Sequence, residues 1–188
     1  LRETIELAVA VEALGYQRYW VAEHHNLPNF AGTSPEMMVG QIAARTKSIR
    51  VGSGGVMLSH YSSLKVAENF RILDSLYPGR IDLGIGRAPG SDQLTASALA
   101  YPSYPKEIQH FPQQVSDLLG YLSDNIAEEH PFSQVRAAPS SSETAPQVWL
   151  LGSRYESAML AARMGLPFAY AHFFGSSPHE GPAIVEGY

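Results

Sequence analysis

Short apolar runs alternate along the chain with longer segments whose apolar residues have helical spacing. The runs at 18–25, 49–58, 81–86, 147–152 and 167–174 predict five strands, each apolar on both faces. Strands of this kind are typical of a parallel sheet that helices cover on its faces. The pattern therefore predicts an α/β fold, either an open doubly wound sheet or part of a (β/α)8 barrel.

The helical segments separate these strands. A buried helix is predicted over residues 2–14, and further helices are predicted at 35–47, 63–76, 111–122 and 157–164. The rest of 88–145 has little regular pattern, and the last residues, 176–188, are predicted to form a loop.

Composition narrows the class of protein. The 188 residues are 45% hydrophobic, which is enough for one domain with a real core, and the net charge of −5 argues against nucleic acid or an anionic membrane as a partner. The chain has no cysteine, no run long enough to span a bilayer and no basic leader at its first residues. We expect a soluble cytoplasmic protein.

Unusual residues follow the predicted strands, at the edge where α/β proteins place their functional groups. They are Glu23, His24 and His25 after the first strand, Gly54, Gly55 and His60 around the second, Arg87 after the third, Gly152, Ser153 and Arg154 after the fourth, and His172 in the fifth.

Two of these segments suggest an anion site. The spacing of GIGRAPG (84–90) is one residue too long for a dinucleotide fingerprint, but Arg87 there suits a carboxylate, a phosphate or the carbonyl edge of a flavin. In LLGSRYES (150–157), Ser153, Arg154 and Tyr155 begin a helix, with Ser157 one turn further. This is either a phosphate site or an ordinary helix start capped by Ser153.

The other segments leave more alternatives open. The Glu23 to His25 triplet is solvated surface, an acid/base site or, with His172, the centre of a metal-dependent hydrolase, although the usual metal-ligand spacings are absent. Gly54 and Gly55 mark either a β-bulge or a place where a flat ligand lies against the backbone.

Together, the segments RYWVAEHH, IRVGSGGVML, AENFRILDSLYPGRIDLGIGRAPG and VWLLGSRYESAMLAARMGLPFAYAHFF resemble the bacterial luciferase-like, flavin-dependent monooxygenase family. The resemblance implies a TIM barrel that takes reduced FMN from a separate reductase and uses O2 to oxygenate a small organic substrate. The deazaflavin F420 is the alternative cofactor, and a non-catalytic flavin-binding protein is the alternative function. The resemblance also implies a homodimer.

The resemblance assigns roles to single residues. His24 corresponds to the family's active-site histidine, a general acid/base. Gly54 and Gly55 correspond to a non-prolyl cis peptide under the flavin ring, and Arg87 to an arginine at the ring's pyrimidine edge or the phosphate. The phosphate-binding helix start corresponds to Gly152, Ser153, Arg154, Tyr155 and Ser157.

The number of strands departs from the family pattern. Five strands fall short of the eight that a closed barrel of roughly 250 residues requires. We therefore expect residues 1–188 to form an incomplete barrel domain that corresponds to strands two to six of the family, without the first strand and the last two strand–helix units.

Overall fold

The computed structural model describes residues 1–88, 90–140, 144–174 and 178–188. Within these ranges five parallel strands form one sheet in the order β1-β2-β3-β4-β5. The strands are β1 Arg18–Val21, β2 Arg50–Met57, β3 Ile81–Gly86, β4 Gln147–Gly152 and β5 Phe168–Tyr170. Each strand pairs with the next in the chain, without the order reversal of a doubly wound sheet. The fold is a partial (β/α)8 barrel, as predicted.

Helices precede, separate and follow the strands, and several of them pack against the outer face of the sheet. They are α1 Arg2–Ala13, α2 Pro35–Arg45, α3 Ser63–Leu76, α4 Gln93–Ala100, α5 Phe111–Leu122, α6 Tyr155–Met164 and α7 Gly181–Glu186. Short 3-10 turns at Leu58–His60, Ile108–His110, His172–Phe174 and Pro178–Glu180 complete the described structure. No helix in these described ranges has the length and apolar character needed to cross a membrane.

The predicted strands and the five predicted helices are present, but four details were wrong. β1 ends at Val21 and β5 at Tyr170, so His25 and His172 lie outside strands. The helices α4 and α7 were not predicted. In α4 the start signal is Asp92, whose side chain accepts the Thr95 amide, while the helix lacks the apolar stripe that reveals a helix in a sequence.

The prediction that the first helix is buried was also wrong. Only Ala8 of α1 is buried, and Leu7 and Leu14 are more than half exposed. Helix α1 meets the core along one narrow stripe of Ile5, Ala8 and Val11, so its remaining apolar side chains face outward.

Alternate residues of each strand point to opposite faces of the sheet, and the two faces differ in character. On the outer face Ile81, Leu83 and Ile85 are fully buried against the helices. The intervening residues of β3 are Asp82 and the glycines 84 and 86, which face the barrel interior. The hydrophobic core therefore lies between the sheet and its helices.

A buried ionic cluster fixes the amino-terminal end of the sheet. The two carboxylate oxygens of Asp82, which has no exposed surface, accept from Arg18 Nε at 3.1 Å, Arg50 Nε at 2.8 Å and Trp20 Nε1 at 2.9 Å. Arg18 also donates to Gln147 Oε1 at 2.7 Å. These bonds join four neighbouring strands and so stabilise this end of the sheet.

Candidate active site

A cleft of about 440 Å³ opens at the carboxyl-terminal ends of β2, β3 and β4. Seven of the nine predicted site residues line it, namely Gly54, Gly55, Arg87, Gly152, Ser153, Arg154 and Ser157. The remaining lining residues are Met57, Gly86, Ala88, Ile108, Leu151, Ala171 and Phe173. The volume lies within the usual range of small-molecule sites, about 300–1,000 Å³.

Glycines form one wall of the cleft, and different neighbouring atoms leave no space for a side chain at each of them. A Cβ on Gly54 would lie 3.1 Å from Trp20 Cβ, and a Cβ on Gly86 would lie 2.9 Å from Met57 Cε. A Cβ on Gly55 would instead lie 2.8 Å from the carbonyl oxygen of Gly84, so the absence of a side chain lets β2 and β3 pair closely. Close packing therefore explains each of the three glycines, and together they line the cleft with backbone atoms.

The Gly54–Gly55 segment is irregular in two ways. Its peptide bond is cis, as the family resemblance implied. The pairing of β2 with β3 also shifts register between Gly54 and Val56, which confirms a β-bulge at this point.

Two arginines give the cleft a positive lining. Within the described residues, neither the Arg87 nor the Arg154 side chain makes a hydrogen bond or an ion pair, and no carboxylate is among the described residues that line the cleft. Uncompensated guanidinium groups at a concave site attract an anion, and their planar donors suit a phosphate or carboxylate.

The start of α6 adds backbone donors to this region. Arg154 is the N-cap residue, so the alternative that placed Ser153 at the cap was wrong. Ser157 is buried, and its amide donates to the Arg154 carbonyl at 3.1 Å. A Cβ on Gly152 would lie 2.5 Å from Ser157 Cβ, so glycine is required there by packing against the helix start.

Two predicted residues do not line the cleft. Tyr155 is 53% exposed and lines a neighbouring groove that shares Arg87 and Ile108 with the cleft. His24 is half-buried, with its ring centroid 4.7 Å from that of Phe30 and its amide donating to Gly32 O at 2.8 Å.

The residue before His24 has a role that the sequence did not reveal. Glu23 is 1% exposed, which rules out the interpretation of this residue as solvated surface. Its carboxylate accepts from the Met57 amide at 2.8 Å and the Tyr61 hydroxyl at 2.6 Å, and it pairs with His25 Nε2 at 2.8 Å. Burial and the bond to Glu23 raise the pKa of the Tyr61 hydroxyl.

A metal-dependent hydrolase gains no support from this arrangement. No group of three histidine, aspartate or glutamate side chains within the described part of the chain is placed to hold a metal ion. His172 is exposed in the 3-10 turn that follows β5, and Glu23 is engaged by the three donors above.

Sequence reasoning also missed several apolar residues of the cleft. Ile108 and Phe173 reach it from short 3-10 turns, where no periodic pattern distinguishes a lining side chain from a surface one. Met57 and Leu151 lie within predicted strands, where an apolar residue is expected whether or not it lines a site.

Comparison with known proteins identifies the family. The family profile of luciferase-like monooxygenases matches residues 1–180, so the chain belongs to the luciferase-like monooxygenase family. It is 52% identical over 181 residues to the uncharacterised protein YwcH of Bacillus subtilis, covering 96% of this chain and 54% of YwcH. It is 45% identical over 173 residues to the N-acetyl-S-alkylcysteine monooxygenase of the same organism, covering 92% and 51%. The chain thus spans about half the length of the curated relatives it matches.

Solved structures share the fold of this chain. Apo-MsnO8 matches with a TM-score of 0.88 and 43% identity over 100% of this chain and 54% of its own. Two more distant structures share the fold alone, each with a TM-score of 0.67. One is the oxygenating component of 3,6-diketocamphane monooxygenase from Pseudomonas putida in complex with FMN, at 20% identity over 89% of this chain and 51% of that one. The other is an F420-dependent secondary alcohol dehydrogenase, at 17% identity over 84% and 50%.

Proposed function

We propose that this chain forms the cofactor-binding part of a flavin-dependent monooxygenase that uses reduced FMN and O2 to oxygenate a small organic molecule. The observation that carries the proposal is the cleft itself, in which a flat glycine wall faces two arginines without an anionic partner among the described residues. FMN is complementary to this lining, because its planar ring suits the glycine wall and the phosphate on its flexible chain suits the arginines.

The residues present fit such a cofactor. Gly54, Gly55 and Gly86 line the cleft with backbone atoms, against which a planar ring would lie. Ser153, Arg154 and the first amides of α6 would hold the phosphate, and Arg87 would bind either the phosphate or the carbonyl edge of the ring. Bound reduced FMN would supply the electrons that activate O2.

His24 remains the proposed general acid/base on the family resemblance. Since it lies outside the lining of the cleft, its role requires a substrate that extends beyond the cleft or a movement of the loop after β1. Its replacement, His24→Ala, should lower turnover far more than FMN affinity. Equal losses in turnover and affinity would refute the catalytic assignment.

The primary test is direct binding. Purified protein is titrated against FMN while flavin fluorescence is followed, and saturable quenching with one site per chain is expected. Riboflavin, which has the ring but no phosphate, should bind at least about tenfold more weakly, since it cannot engage the arginines. Equal affinity for the two flavins would contradict the phosphate site.

F420 is a second candidate cofactor, because the F420-dependent dehydrogenase shares this fold as closely as the FMN complex does. Competition between F420 and FMN for the same site decides between them. Tighter binding of F420 would replace the oxygenase proposal with a hydride-transfer reaction.

Substrate and partners form the less constrained part of the proposal. Because one relative is named for N-acetyl-S-alkylcysteine, thioethers are the first substrate class to test. Oxygen uptake with reduced FMN and a thioether should yield an oxygenated product, whereas peroxide alone would indicate a flavin-binding protein without oxygenase activity. A separate flavin reductase and a second copy of the chain are the proposed protein partners.

A further inference from the structure

The least exposed acidic side chain near the cleft belongs to a residue with no role in the proposal above. Glu23 is 1% exposed and lies just after β1, and within the described residues its carboxylate has no arginine or lysine partner. A carboxylate removed from water is unfavourable unless hydrogen bonds replace its hydration. Three donors do so here, and each comes from a different place in the chain.

The first donor connects Glu23 to the cleft. The Met57 amide donates to Oε2 at 2.8 Å, and Met57 itself lines the cleft at the end of β2. The Met57 side chain in turn occupies the space over Gly86 and Gly90, where an added Cβ would meet it at 2.9 Å. The position of Glu23 therefore determines the position of one edge of the glycine wall.

The other two donors share Oε1. The Tyr61 hydroxyl donates at 2.6 Å, and His25 Nε2 lies at 2.8 Å. We assign the donated proton to Nε2 of His25, since a carboxylate oxygen accepts hydrogen bonds. The His25 amide also donates to Gly90 O at 3.3 Å, which links the cluster to the segment that follows Arg87.

We propose that Glu23 is a positioning residue of the cleft. Its buried carboxylate binds the Met57 amide, the Tyr61 hydroxyl and the His25 imidazole. These bonds fix the position of the wall against which the cofactor rests. The inference rests on the proposed function for the identity of the ligand. The fixing of the wall depends only on the contacts of this chain.

The test uses Glu23→Gln, which keeps the size of the side chain but replaces one acceptor oxygen with an NH2 group. If that group faces Met57, the Met57 amide loses its acceptor. If it faces Tyr61 and His25, the hydroxyl and the imidazole must become acceptors, and His25 loses the proton on Nε2. FMN affinity should fall by at least about tenfold in the folded protein. The matched control is Glu36→Gln, a half-buried glutamate near this cluster, which should leave the affinity within about twofold.

Nuclear magnetic resonance gives a readout that does not depend on FMN. In the wild-type protein the Met57 amide and the His25 Nε2 proton should both be detectable and slow to exchange with solvent. In Glu23→Gln both should exchange faster, and the amide signals of Gly54 and Gly86 should shift. A residue that only contributed stability would lower the unfolding temperature without moving the glycine signals of the folded protein.

The outcomes separate the two proposals. If wild-type protein fails to bind FMN while the glycine signals still move in Glu23→Gln, the proposed function is wrong and the positioning role holds. Signal changes confined to residues 23, 25 and 61, or unchanged FMN affinity in the variant, would overturn the positioning role. Should Glu23→Gln not fold, Tyr61→Phe removes a single donor and should produce the same changes at reduced size.

Discussion

At the amino-terminal end of the sheet the charged side chains bond to one another, whereas at the carboxyl-terminal end two arginines face an open cleft. Asp82 is fully buried among Arg18, Arg50 and Trp20, all within 3.1 Å. Arg87 and Arg154 have no such partners among the described residues. Satisfied groups at one end stabilise the sheet, and unsatisfied groups at the other are available for a ligand.

The two ends also differ in the size of the side chains that face the barrel interior. The amino-terminal end presents large side chains to the barrel interior, including Trp20 and Trp149 in an edge-to-face pair with ring centroids 5.3 Å apart. The carboxyl-terminal end presents glycines. Substitutions at the first end should therefore change stability without affecting binding, and most substitutions at the second end should do the reverse.

The largest effect is expected from Asp82→Ala. Removing the carboxylate leaves the Trp20 indole without its acceptor and Arg18 and Arg50 without their ionic partner. The loss of one member of a buried ionic cluster costs about 3 kcal/mol of unfolding free energy. Urea unfolding of the wild-type protein and the variant measures this loss of unfolding free energy. The control Glu68→Gln breaks a surface pair with Lys65 at 3.8 Å and should cost less than about 1 kcal/mol. A loss below about 1 kcal/mol for Asp82→Ala would contradict the structural role of this cluster.

Gly55→Ala should be the exception at the cleft end, because its added methyl group meets backbone. The new Cβ would lie 2.8 Å from Gly84 O and 3.1 Å from Ile85 N, so β2 and β3 must separate, at a cost of about 2 kcal/mol. Gly54→Ala is the matched control, since its Cβ would meet only side-chain atoms, with Trp20 Cβ nearest at 3.1 Å. Equal unfolding free energies for the two variants would show that the difference between these neighbours is not structural.

Arg87→Gln should show the opposite behaviour. The Arg87 guanidinium makes no hydrogen bond or ion pair within the described structure, so its loss should leave the unfolding free energy within about 0.5 kcal/mol of the wild-type value. FMN affinity should fall about tenfold because a charge-assisted contact is lost. The control Arg45→Gln removes an exposed arginine from α2 and should change neither quantity. A stability loss with unchanged affinity would place Arg87 with the structural arginines.

The two ends also differ in how far the sequence could predict them. The alternation of apolar strands and helices predicted a parallel α/β sheet but left open whether it was doubly wound or part of a barrel, and the family resemblance favoured the barrel. The glycine, serine and arginine positions at and after the strand ends predicted seven residues of the cleft lining. The role of Asp82 could not be predicted, because its partners Arg18, Trp20 and Arg50 are 64, 62 and 32 positions away along the chain. Glu23 was hidden for the same reason, since its burial depends on where Met57 and Tyr61 fold.

The smallest expected effect is a pH dependence at the amino-terminal end. The Glu12 carboxylate of α1 accepts the backbone amides of Lys47, Ser48 and Ile49 at 2.7 to 3.1 Å, which anchors the helix to the start of β2. These bonds, that of Ile49 foremost, lower the pKa of Glu12 from 4.5 to about 2. Because the folded pKa lies below the unfolded value, the stabilisation is present above pH 4.5 and is lost as the pH falls towards 2.

Unfolding free energies of the wild-type protein and Glu12→Gln should therefore differ by a constant amount near neutral pH and converge in acid. Glu6→Gln removes an exposed negative charge from the same helix and controls for general electrostatic effects. If the Glu12→Gln curve converges with the wild-type curve in acid more than the Glu6→Gln curve does, the pH dependence comes from the hydrogen bonds of Glu12 to the three amides. Parallel curves for wild-type protein and Glu12→Gln down to about pH 2.5 would mean that α1 is held by the Ile5, Ala8 and Val11 stripe alone.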